Sequence, residues 1–433
     1  MKINTKTILC IIFIISLLFS LSFLMLLKNI GPTEHAIPGT DYLNCYKPMT
    51  ENIINGTGII LEKGFYVRCA PGYPLFLTPI FSLANIFNLN YLPLIILFNT
   101  VITAFNACLL FIIVKKIFIL SLYLSNYDGK KIAFISSILW TFYPFNLWLI
   151  KNPNTEIPFI LLLFISIWLF LNSIQKKWIL LIFLTGIIIG FSALVRPIGL
   201  FLPLIFIPFT FLLLKENYKK YLKGTVLTLV LLFGFLSAIL PWSLYASFQT
   251  DRFVPISSIG ADSTAIGLKY AISTNNKSNA KPNISPNLKN LMERANNTDL
   301  TTIGNIINFS LNEFKTNHLT FSKLIGLKII RSWYGTSQMW WENTIILIQA
   351  PYLLLAVFGI FLAFKKFKDN ISYIIFLLSF VLYFWLMTIS SLSILRYMLP
   401  IMTFVLIFSA ISINYILSKI IKDYENLLKD YEK

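Results

Sequence analysis

Long runs of apolar residues, separated by short polar connections, leave this chain few ways to fold. Several runs approach or exceed the roughly twenty residues that an α-helix needs to cross the hydrocarbon core of a bilayer. The sequence therefore predicts an all-α polytopic membrane protein with about ten transmembrane helices. The predicted spans are 7–27, 91–114, 132–149, 157–171, 178–194, 199–214, 224–242, 344–364, 371–389 and 396–417.

Composition favours a membrane protein over a soluble nucleic-acid-binding protein. Of the 433 residues, 57% are hydrophobic and 12% are charged, whereas about a quarter of the residues in a soluble domain are charged. The net charge of +18 would suggest a nucleic-acid partner if the chain were soluble. Here the lysines cluster in short loops between spans, as the positive-inside rule requires. We therefore predict a lipid bilayer as partner and no nucleic acid.

The distribution of lysines also predicts an orientation. With the N-terminus in the cytoplasm, the cytoplasmic loops hold the lysine pairs 115–116, 130–131 and 176–177 and the cluster 215–223. This asymmetry predicts that both termini are cytoplasmic. The abundance of Ile, Lys, Asn and Phe favours a bacterial inner membrane.

Three regions follow from this pattern. Residues 1–242 form a predicted N-terminal transmembrane catalytic module with a first loop at 28–74, and residues 243–343 form a polar extracytoplasmic region. Residues 344–433 contribute the last transmembrane helices and a cytoplasmic tail. Helical spacing of apolar residues over 299–332 predicts a helical stretch inside the polar region.

The first loop concentrates the residues that suggest chemistry. It contains Asp41 and Tyr42, then Tyr46, and it closes with the rigid turn 70–74, Ala-Pro-Gly-Tyr-Pro. Cys45 and Cys69 also lie in it. In an oxidising compartment these two cysteines could form a disulfide that stabilises the loop by about 3 kcal/mol, and otherwise they are two free thiols.

Other charged residues are predicted on the same extracytoplasmic side. Glu156 precedes the fourth span, while Arg196 and Arg396 lie at the outer ends of other spans. Nucleotide sugars are absent from that side, so a glycosyl donor there must be carried by a lipid phosphate. Asp41 can then act as the base that deprotonates the acceptor, and the two arginines can stabilise the departing phosphate.

Each residue also has a simpler structural explanation. Asp41 could be a solvated loop residue, and Glu156 could favour the start of its helix through the helix dipole. The arginines could be snorkelling anchors, and Pro71 could simply begin a helix. Together, on one side of a membrane protein, they favour a functional site, because charged residues near the membrane are costly.

Several short motifs, in order along the chain, resemble one family. They are Asp41 with Tyr46, Gly56 and Gly58; 70–77 (APGYPLFL); Thr155-Glu156; 194–197 (LVRP); Pro241-Trp242; 252–258 (RFVPISS); and 396–400 (RYMLP). The chain resembles the GT-C membrane glycosyltransferases, specifically the dolichyl-phosphate-mannose-protein mannosyltransferase-like branch (family 39, PMT type), which is related to the aminoarabinose transferases.

This resemblance implies a set of site residues. Asp41 and Glu156 are the predicted catalytic residues, with Asp41 as the base of an inverting transfer and Glu156 as the second acidic residue. The predicted donor-phosphate-binding residues are Arg196, Arg396 and Tyr397. The predicted substrate-positioning residues are Tyr42, Tyr46, Pro71, Gly72 and Tyr73.

The predicted function is therefore transfer of a hexose or pentose from a polyprenyl-phosphate donor to a lipid, glycan or protein acceptor in the cell envelope. One alternative is an O-antigen-type polymerase or ligase, disfavoured because His35 and His318 are the only histidines. The other is a flippase or transporter, disfavoured because the charges lie at the ends of spans and not at the midplane. No metal site or cofactor is required, although Glu34 and Asp41 could supply oxygen ligands to a divalent cation.

Overall fold

The structure, a computed structural model, describes residues 4–30, 41–59, 67–122, 126–176, 178–214, 220–251, 253–269, 285–336, 341–366 and 371–431. Throughout these residues the regular secondary structure is helical, which confirms the predicted all-α class. The α-helices are α1 (Thr5–Ile30), α2 (Lys47–Ile54), α3 (Gly72–Phe87), α4 (Tyr91–Leu122), α5 (Asn126–Phe142), α6 (Pro144–Ile150), α7 (Glu156–Lys176), α8 (Ile179–Val195), α9 (Pro203–Leu212), α10 (Lys220–Thr250), α11 (Ile259–Lys269), α12 (Pro286–Asn297), α13 (Ile303–Thr316), α14 (His318–Arg331), α15 (Glu342–Lys366), α16 (Ile371–Ser390) and α17 (Leu395–Tyr431).

Seven helices in the described ranges are long and apolar enough to cross a membrane, or eight if the bent pair α5–α6 is counted as one span. The seven are α1, α4, α7, α10, α15, α16 and α17. Shorter apolar helices are α3, α8 and the segment Pro197–Leu212. Every predicted span falls on one of these apolar helices. The polytopic class is therefore confirmed, while the number of ten spans and the loop topology stay predictions.

Two predicted segments are divided in the structure. The third predicted span bends by 55° between α5 and α6, because Pro144 has no backbone N–H to continue the helix. Tyr143 is buried at this bend, and its hydroxyl donates a hydrogen bond to Oε1 of Gln349 at 2.8 Å. The helical stretch predicted at 299–332 consists of two helices, α13 and α14, separated at Asn317.

Helix α7 lies at the centre of the bundle and runs in the same direction as α4. Near the start of α7, Nδ2 of Asn106 donates to the carbonyl of Ile157 at 3.3 Å, and near its end Nζ of Lys116 donates to Oδ1 of Asn172. The 21 residues of α7 extend over about 30 Å, which is the thickness of the hydrocarbon core. We refer to the two sides of the bundle as the Glu156 end and the Lys176 end.

Helix α8 packs against α7 on one side and closely against α10 on another. Gly186 makes this approach possible, because a Cβ atom there would collide with the carbonyl of Leu231 and lie 2.8 Å from the backbone N of Phe235. Small residues permit such close backbone contact between helices within a membrane. The chain from α7 to α10 therefore forms one packed group, which fixes where the C-terminal end of α8 lies relative to the start of α7.

The polar region between α10 and α15 has a small core of its own. Buried side chains of α12, chiefly Leu288, Leu291 and Met292, pack with Leu324 of α14. This region contacts the membrane helices through Trp385 of α16, whose Nε1 donates to Oγ of Ser332 at 3.0 Å. The predicted division into three regions stays a prediction.

Candidate active site

Glu156 is the first residue of α7, and two arginines from distant parts of the chain surround its carboxylate. The Glu156 side chain is 1% exposed. Nε of Arg396 donates to Oε1 and Nη2 of Arg396 donates to Oε2 at 3.2 Å, while Nη1 of Arg196 lies 3.0 Å from Oε1. A buried carboxylate is very costly unless it is paired. Two cations around one anion leave one excess positive charge in this three-residue cluster.

Arg196 takes its position from the way α8 ends. The backbone of Arg196 is extended because the residue precedes Pro197, and a residue before proline is disfavoured in a helix. Its side chain is only 8% exposed, and its guanidinium carbon lies 4.9 Å from the centre of the Tyr397 ring, within cation–π range. Among the described residues, Nη1 of Arg196 is buried and has no hydrogen-bond partner, although it lies 3.0 Å from Oε1 of Glu156.

Arg396 is the accessible member of this cluster. Its side chain is 51% exposed, although its guanidinium contacts the enclosed carboxylate of Glu156. Its planar guanidinium contacts both oxygens of Glu156, a geometry that lysine cannot reproduce. Of the two arginines, Arg396 is therefore the one that an incoming ligand can reach.

Asp41 lies at the same end of the molecule and is accessible. Its Oδ1 atom is 3.9 Å from Nη2 of Arg68, and the two side chains are 44% and 52% exposed. An exposed ion pair at this distance contributes little to stability. Tyr46 connects the two groups of charges, because Asp41, Glu156, Arg196 and Arg396 all lie near enough to act electrostatically on its hydroxyl.

The tyrosines predicted to position the substrate line the space next to these charges. The rings of Tyr46 and Tyr73 meet edge to face with their centres 5.1 Å apart. Burial raises the pKa of the Tyr42 hydroxyl to about 12, with a smaller contribution from Glu51. Burial, assisted by the nearby carboxylates, also raises the pKa of Tyr46. Both phenols therefore stay protonated at neutral pH and can donate hydrogen bonds.

A disulfide closes the loop that carries Asp41. Cys45 and Cys69 are bonded, with their Cα atoms 6.4 Å apart and 24 residues apart in sequence. Of the two alternatives that the sequence leaves open, the structure therefore has the bridge. The bond joins the helical turn after Asp41 to the segment that leads into Pro71. Asp41 and Arg68, which flank the two cysteines, are therefore held near each other.

Gly72 connects this loop to Arg196. It begins α3 after Pro71, and a Cβ atom at Gly72 would collide with the backbone N of Val195 and lie 2.6 Å from the carbonyl O of Leu194. Only glycine allows this contact, because the obstructing atoms are backbone and cannot move aside. The turn at 71–73 therefore packs directly on the residues that place Arg196.

The motif at 252–258 is attached to the same end. Nε1 of Trp242 donates to the carbonyl of Ile256 at 2.7 Å, and the backbone N of Ser258 donates to the carbonyl of Val67 at 2.9 Å. Arg252 itself lies outside the described residues. Sequence motifs from widely separated segments of the chain are thus brought to the Glu156 end.

One neighbouring residue was not predicted from the sequence. Arg68 contacts Asp41, and the available signal was its place beside Cys69 and the conspicuous turn. Among the described residues, no three His, Cys, Asp or Glu side chains are arranged to hold a metal ion. Glu34 and His35 lie outside those residues.

Comparison with known families identifies a match in the central part of the chain. Residues 91–245, from α4 to α10, match the family described as dolichyl-phosphate-mannose-protein mannosyltransferase. This range includes Glu156 and Arg196, whereas Asp41 and Arg396 lie outside it. No curated protein matches the full sequence.

Solved structures give a match over nearly the whole chain. The apo crystal structure of the Archaeoglobus fulgidus oligosaccharyltransferase superposes with a TM-score of 0.60 at 13% identity, covering 97% of this chain. A second crystal structure of that enzyme, tethered to an acceptor peptide containing the NVT sequon, gives a TM-score of 0.55 at 12% identity over 96% of this chain. This chain spans 52% and 50% of those two proteins.

These matches agree with the resemblance seen in the sequence motifs. The oligosaccharyltransferase is a GT-C enzyme, and at this low identity the superposition establishes the fold. The apolar helices and the mannosyltransferase family match both indicate an integral membrane protein. The chain therefore has the fold of the GT-C membrane glycosyltransferases and matches the dolichyl-phosphate-mannose-protein mannosyltransferase family over residues 91–245.

Proposed function

We propose that this protein is an inverting glycosyltransferase that moves a sugar from a polyprenyl-phosphate donor to an acceptor. The Glu156 end faces the extracytoplasmic side of a bacterial inner membrane, and both termini are cytoplasmic. The observation that carries the proposal is the convergence of an accessible carboxylate, Asp41, with the charged cluster of Glu156, Arg196 and Arg396 at one end of a GT-C fold.

Asp41 is the general base in this proposal. It is half-exposed, so an acceptor can approach it, and a carboxylate can take the proton of the attacking group. The acceptor oxygen or nitrogen then forms a bond to the anomeric carbon while the bond from that carbon to the phosphate oxygen breaks. The electron pair leaves with the phosphate. Attack from the face opposite the phosphate inverts the anomeric carbon.

The arginines stabilise the leaving phosphate. Their cluster has one more positive charge than negative charge, and Arg396 is accessible. Groups fixed in position before the reaction stabilise developing charge without reorganisation. Arg196 is buried, paired with Glu156 and packed against the Tyr397 ring, so it adds positive charge to the site without direct access to solvent. Glu156 is enclosed and already paired, so its proposed part is to position the two arginines.

The tyrosines and the turn at 71–73 position the substrates. The protonated phenols of Tyr42 and Tyr46 can donate to sugar hydroxyls or phosphate oxygens, and Tyr73 packs against Tyr46. The donor lipid is undecaprenyl phosphate in a bacterial host. The acceptor is a lipid, a glycan or a protein. The structural relative has been crystallised with an acceptor peptide, but this chain spans about half of that protein.

The test is sugar transfer by the purified full-length protein from a panel of radiolabelled polyprenyl-phosphate sugars to envelope lipid, glycan and protein acceptors. We expect Asp41→Asn to reduce transfer by about 10³-fold or more, since it removes the base. The matched control is Asp262→Asn, which removes the same charge from an exposed aspartate of α11. The thermal unfolding of both variants should match the wild type.

The other results each have a clear meaning. Transfer by Asp41→Asn at the wild-type rate would exclude Asp41 as the base. Absence of turnover by the wild-type protein with every donor would contradict the proposed reaction, and polymerase and flippase assays would then be the next experiments.

A further inference from the structure

The Lys176 end of the bundle gathers lysines from three membrane helices. Lys115 and Lys116 come from α4, Lys130 comes from α5, and Lys176 is the last residue of α7. Gly129, next to Lys130, lies beside Phe118 and Ile119 of α4, and Lys116 bonds to Asn172, one turn before Lys176. Lys115 with Lys130 and Lys116 with Lys176 are therefore two pairs of like charge at one end of the bundle. This cluster, Lys115, Lys116, Lys130 and Lys176, is far from the proposed active site.

The partners of these lysines inside the protein are uncharged. Nζ of Lys115 donates to the hydroxyl of Thr5 at 2.9 Å, and Nζ of Lys116 donates to the amide oxygen of Asn172. Lys176 lies 4.9 Å above the ring of Trp178. In the described part of the chain, none of the four forms an ion pair with a carboxylate.

The positive charge of this cluster is not neutralised by a carboxylate of the described residues. Lys115, Lys116 and Lys130 are partly buried, so water screens their repulsion less well than at an open surface. The hydrogen bonds to Thr5 and Asn172 orient the ammonium groups but supply no negative charge. An external anion placed between the two pairs would remove the repulsion.

The position of the cluster indicates what carries that anion. Lys176 and Glu156 are separated by the length of α7, about 30 Å, so the lysines lie at the depth of lipid headgroups when the Glu156 end is at the opposite surface. Apolar side chains next to the cluster, including Ile119, Trp178 and Ile179, are exposed. They offer a surface for acyl chains beside the site for the phosphate.

We propose that the lysine cluster at the Lys176 end binds the headgroup of an anionic phospholipid, with its phosphate between the lysines of α4, α5 and α7. Basic pockets between transmembrane helices bind acidic headgroups in this way. The bound lipid ties together the ends of three helices that otherwise repel. The proposal does not depend on the sugar-transfer reaction.

The test measures lipid binding to the purified full-length protein by native mass spectrometry, with phosphatidylglycerol, cardiolipin and phosphatidylcholine as probes. The cluster variant is Lys115→Gln with Lys130→Gln. The matched control is Lys365→Gln with Lys366→Gln, which removes two charges from exposed positions at the end of α15. A Lys115→Arg, Lys130→Arg variant keeps the charge.

We expect the wild type, the α15 control and the arginine variant to bind one phosphatidylglycerol or cardiolipin at least about tenfold more tightly than phosphatidylcholine, because lysines at the membrane surface attract acidic headgroups. The cluster variant should lose this preference. Equal binding of all three lipids by the wild type, an equal loss in the α15 control, or displacement of the lipid by millimolar inorganic phosphate would each overturn the proposal.

Discussion

The two ends of α7 handle charge in opposite ways. At its first residue, the carboxylate of Glu156 is enclosed and paired with Arg196 and Arg396. At its last turn, Lys176 and the lysines of neighbouring helices have neutral partners and repel one another. The carboxylate at the first end has arginine partners within the protein. The four lysines at the other end have no carboxylate partner among the described residues.

Charged side chains with an ionic partner inside the protein and charged side chains without one suit different tasks. Ion pairs formed within the fold fix arginines in place, so that their geometry exists before any substrate arrives. Lysines on flexible stems with neutral partners can move to meet a mobile anion. We expect the Glu156 end to be rigid and specific, and the Lys176 end to be adaptable.

Glu156→Gln should remove the negative charge that pairs with Arg196 and Arg396. The change leaves the buried Arg196 and the half-exposed Arg396 beside each other without an anion, and breaking a buried ion pair in this way costs about 3–5 kcal/mol. We expect a large fall in the unfolding temperature in detergent, together with loss of transfer. Glu313→Gln, which breaks the ion pair with Arg294 between α12 and α13 of the polar region, is the control and should retain transfer. An unchanged unfolding temperature for Glu156→Gln would show that the arginines do not need the carboxylate.

The Cys45–Cys69 disulfide at the Glu156 end should contribute to the free energy of unfolding. Replacing Cys45 and Cys69 together with serine should lower the free energy of unfolding by about 3 kcal/mol, because the bond closes a loop of 24 residues in the unfolded chain. The double serine variant of the free cysteines Cys10 and Cys108 is the control. Dithiothreitol should reproduce the first variant in the wild type. Equal stability of the two serine variants would contradict this prediction.

Arg396→Gln should lower transfer by about 10²-fold, the cost of removing one fixed group that stabilises developing charge. The reduction should appear in kcat more than in KM for the donor, since the charge develops in the transition state. Arg396→Lys keeps a charge but loses the contact with both carboxylate oxygens, so it should recover only part of kcat. A pure KM effect would mean that Arg396 binds the donor without assisting the reaction.

Lys116→Gln should have the smallest effect. It removes a charge and one hydrogen bond to Asn172, a contribution of about 1 kcal/mol, but it also relieves repulsion with Lys176. The unfolding temperature should stay close to that of the wild type, and transfer should be unaffected. A loss comparable to that of Glu156→Gln would erase the contrast between the two ends.

Sequence patterns were sufficient to predict the helical membrane class and the collection of charges on one side. Apolar runs such as 371–389 fixed their own secondary structure, because a helix satisfies its backbone in lipid. Glu156, Arg196 and Arg396 each lie at a span end, so the alternation of spans places them together. Tyr397 follows Arg396 by one residue, and the structure brings its ring to Arg196.

Other features depend on how helices pack, which a single sequence does not report. The contact of one carboxylate with two arginines requires α7, α8 and α17 to meet, and Arg396 is 240 residues from Glu156. The role of Gly72 becomes clear only when the backbone of Val195 is seen beside it. The bend at Pro144 and the pairing of Arg68 with Asp41 likewise follow from neighbours far away in the chain.

The single excess positive charge of the cluster formed by Glu156, Arg196 and Arg396 has a consequence for turnover. A sugar attached to a lipid phosphate is a diester with one negative charge, whereas the carrier released by transfer is a monoester with a second pKa near 6 and a charge approaching −2. The arginine cluster, on the proposed function, therefore holds the spent carrier more tightly than the fresh donor. On the proposed function, the enzyme is slowed by its own product, and the cell's rate of carrier recycling sets how fast sugars are delivered.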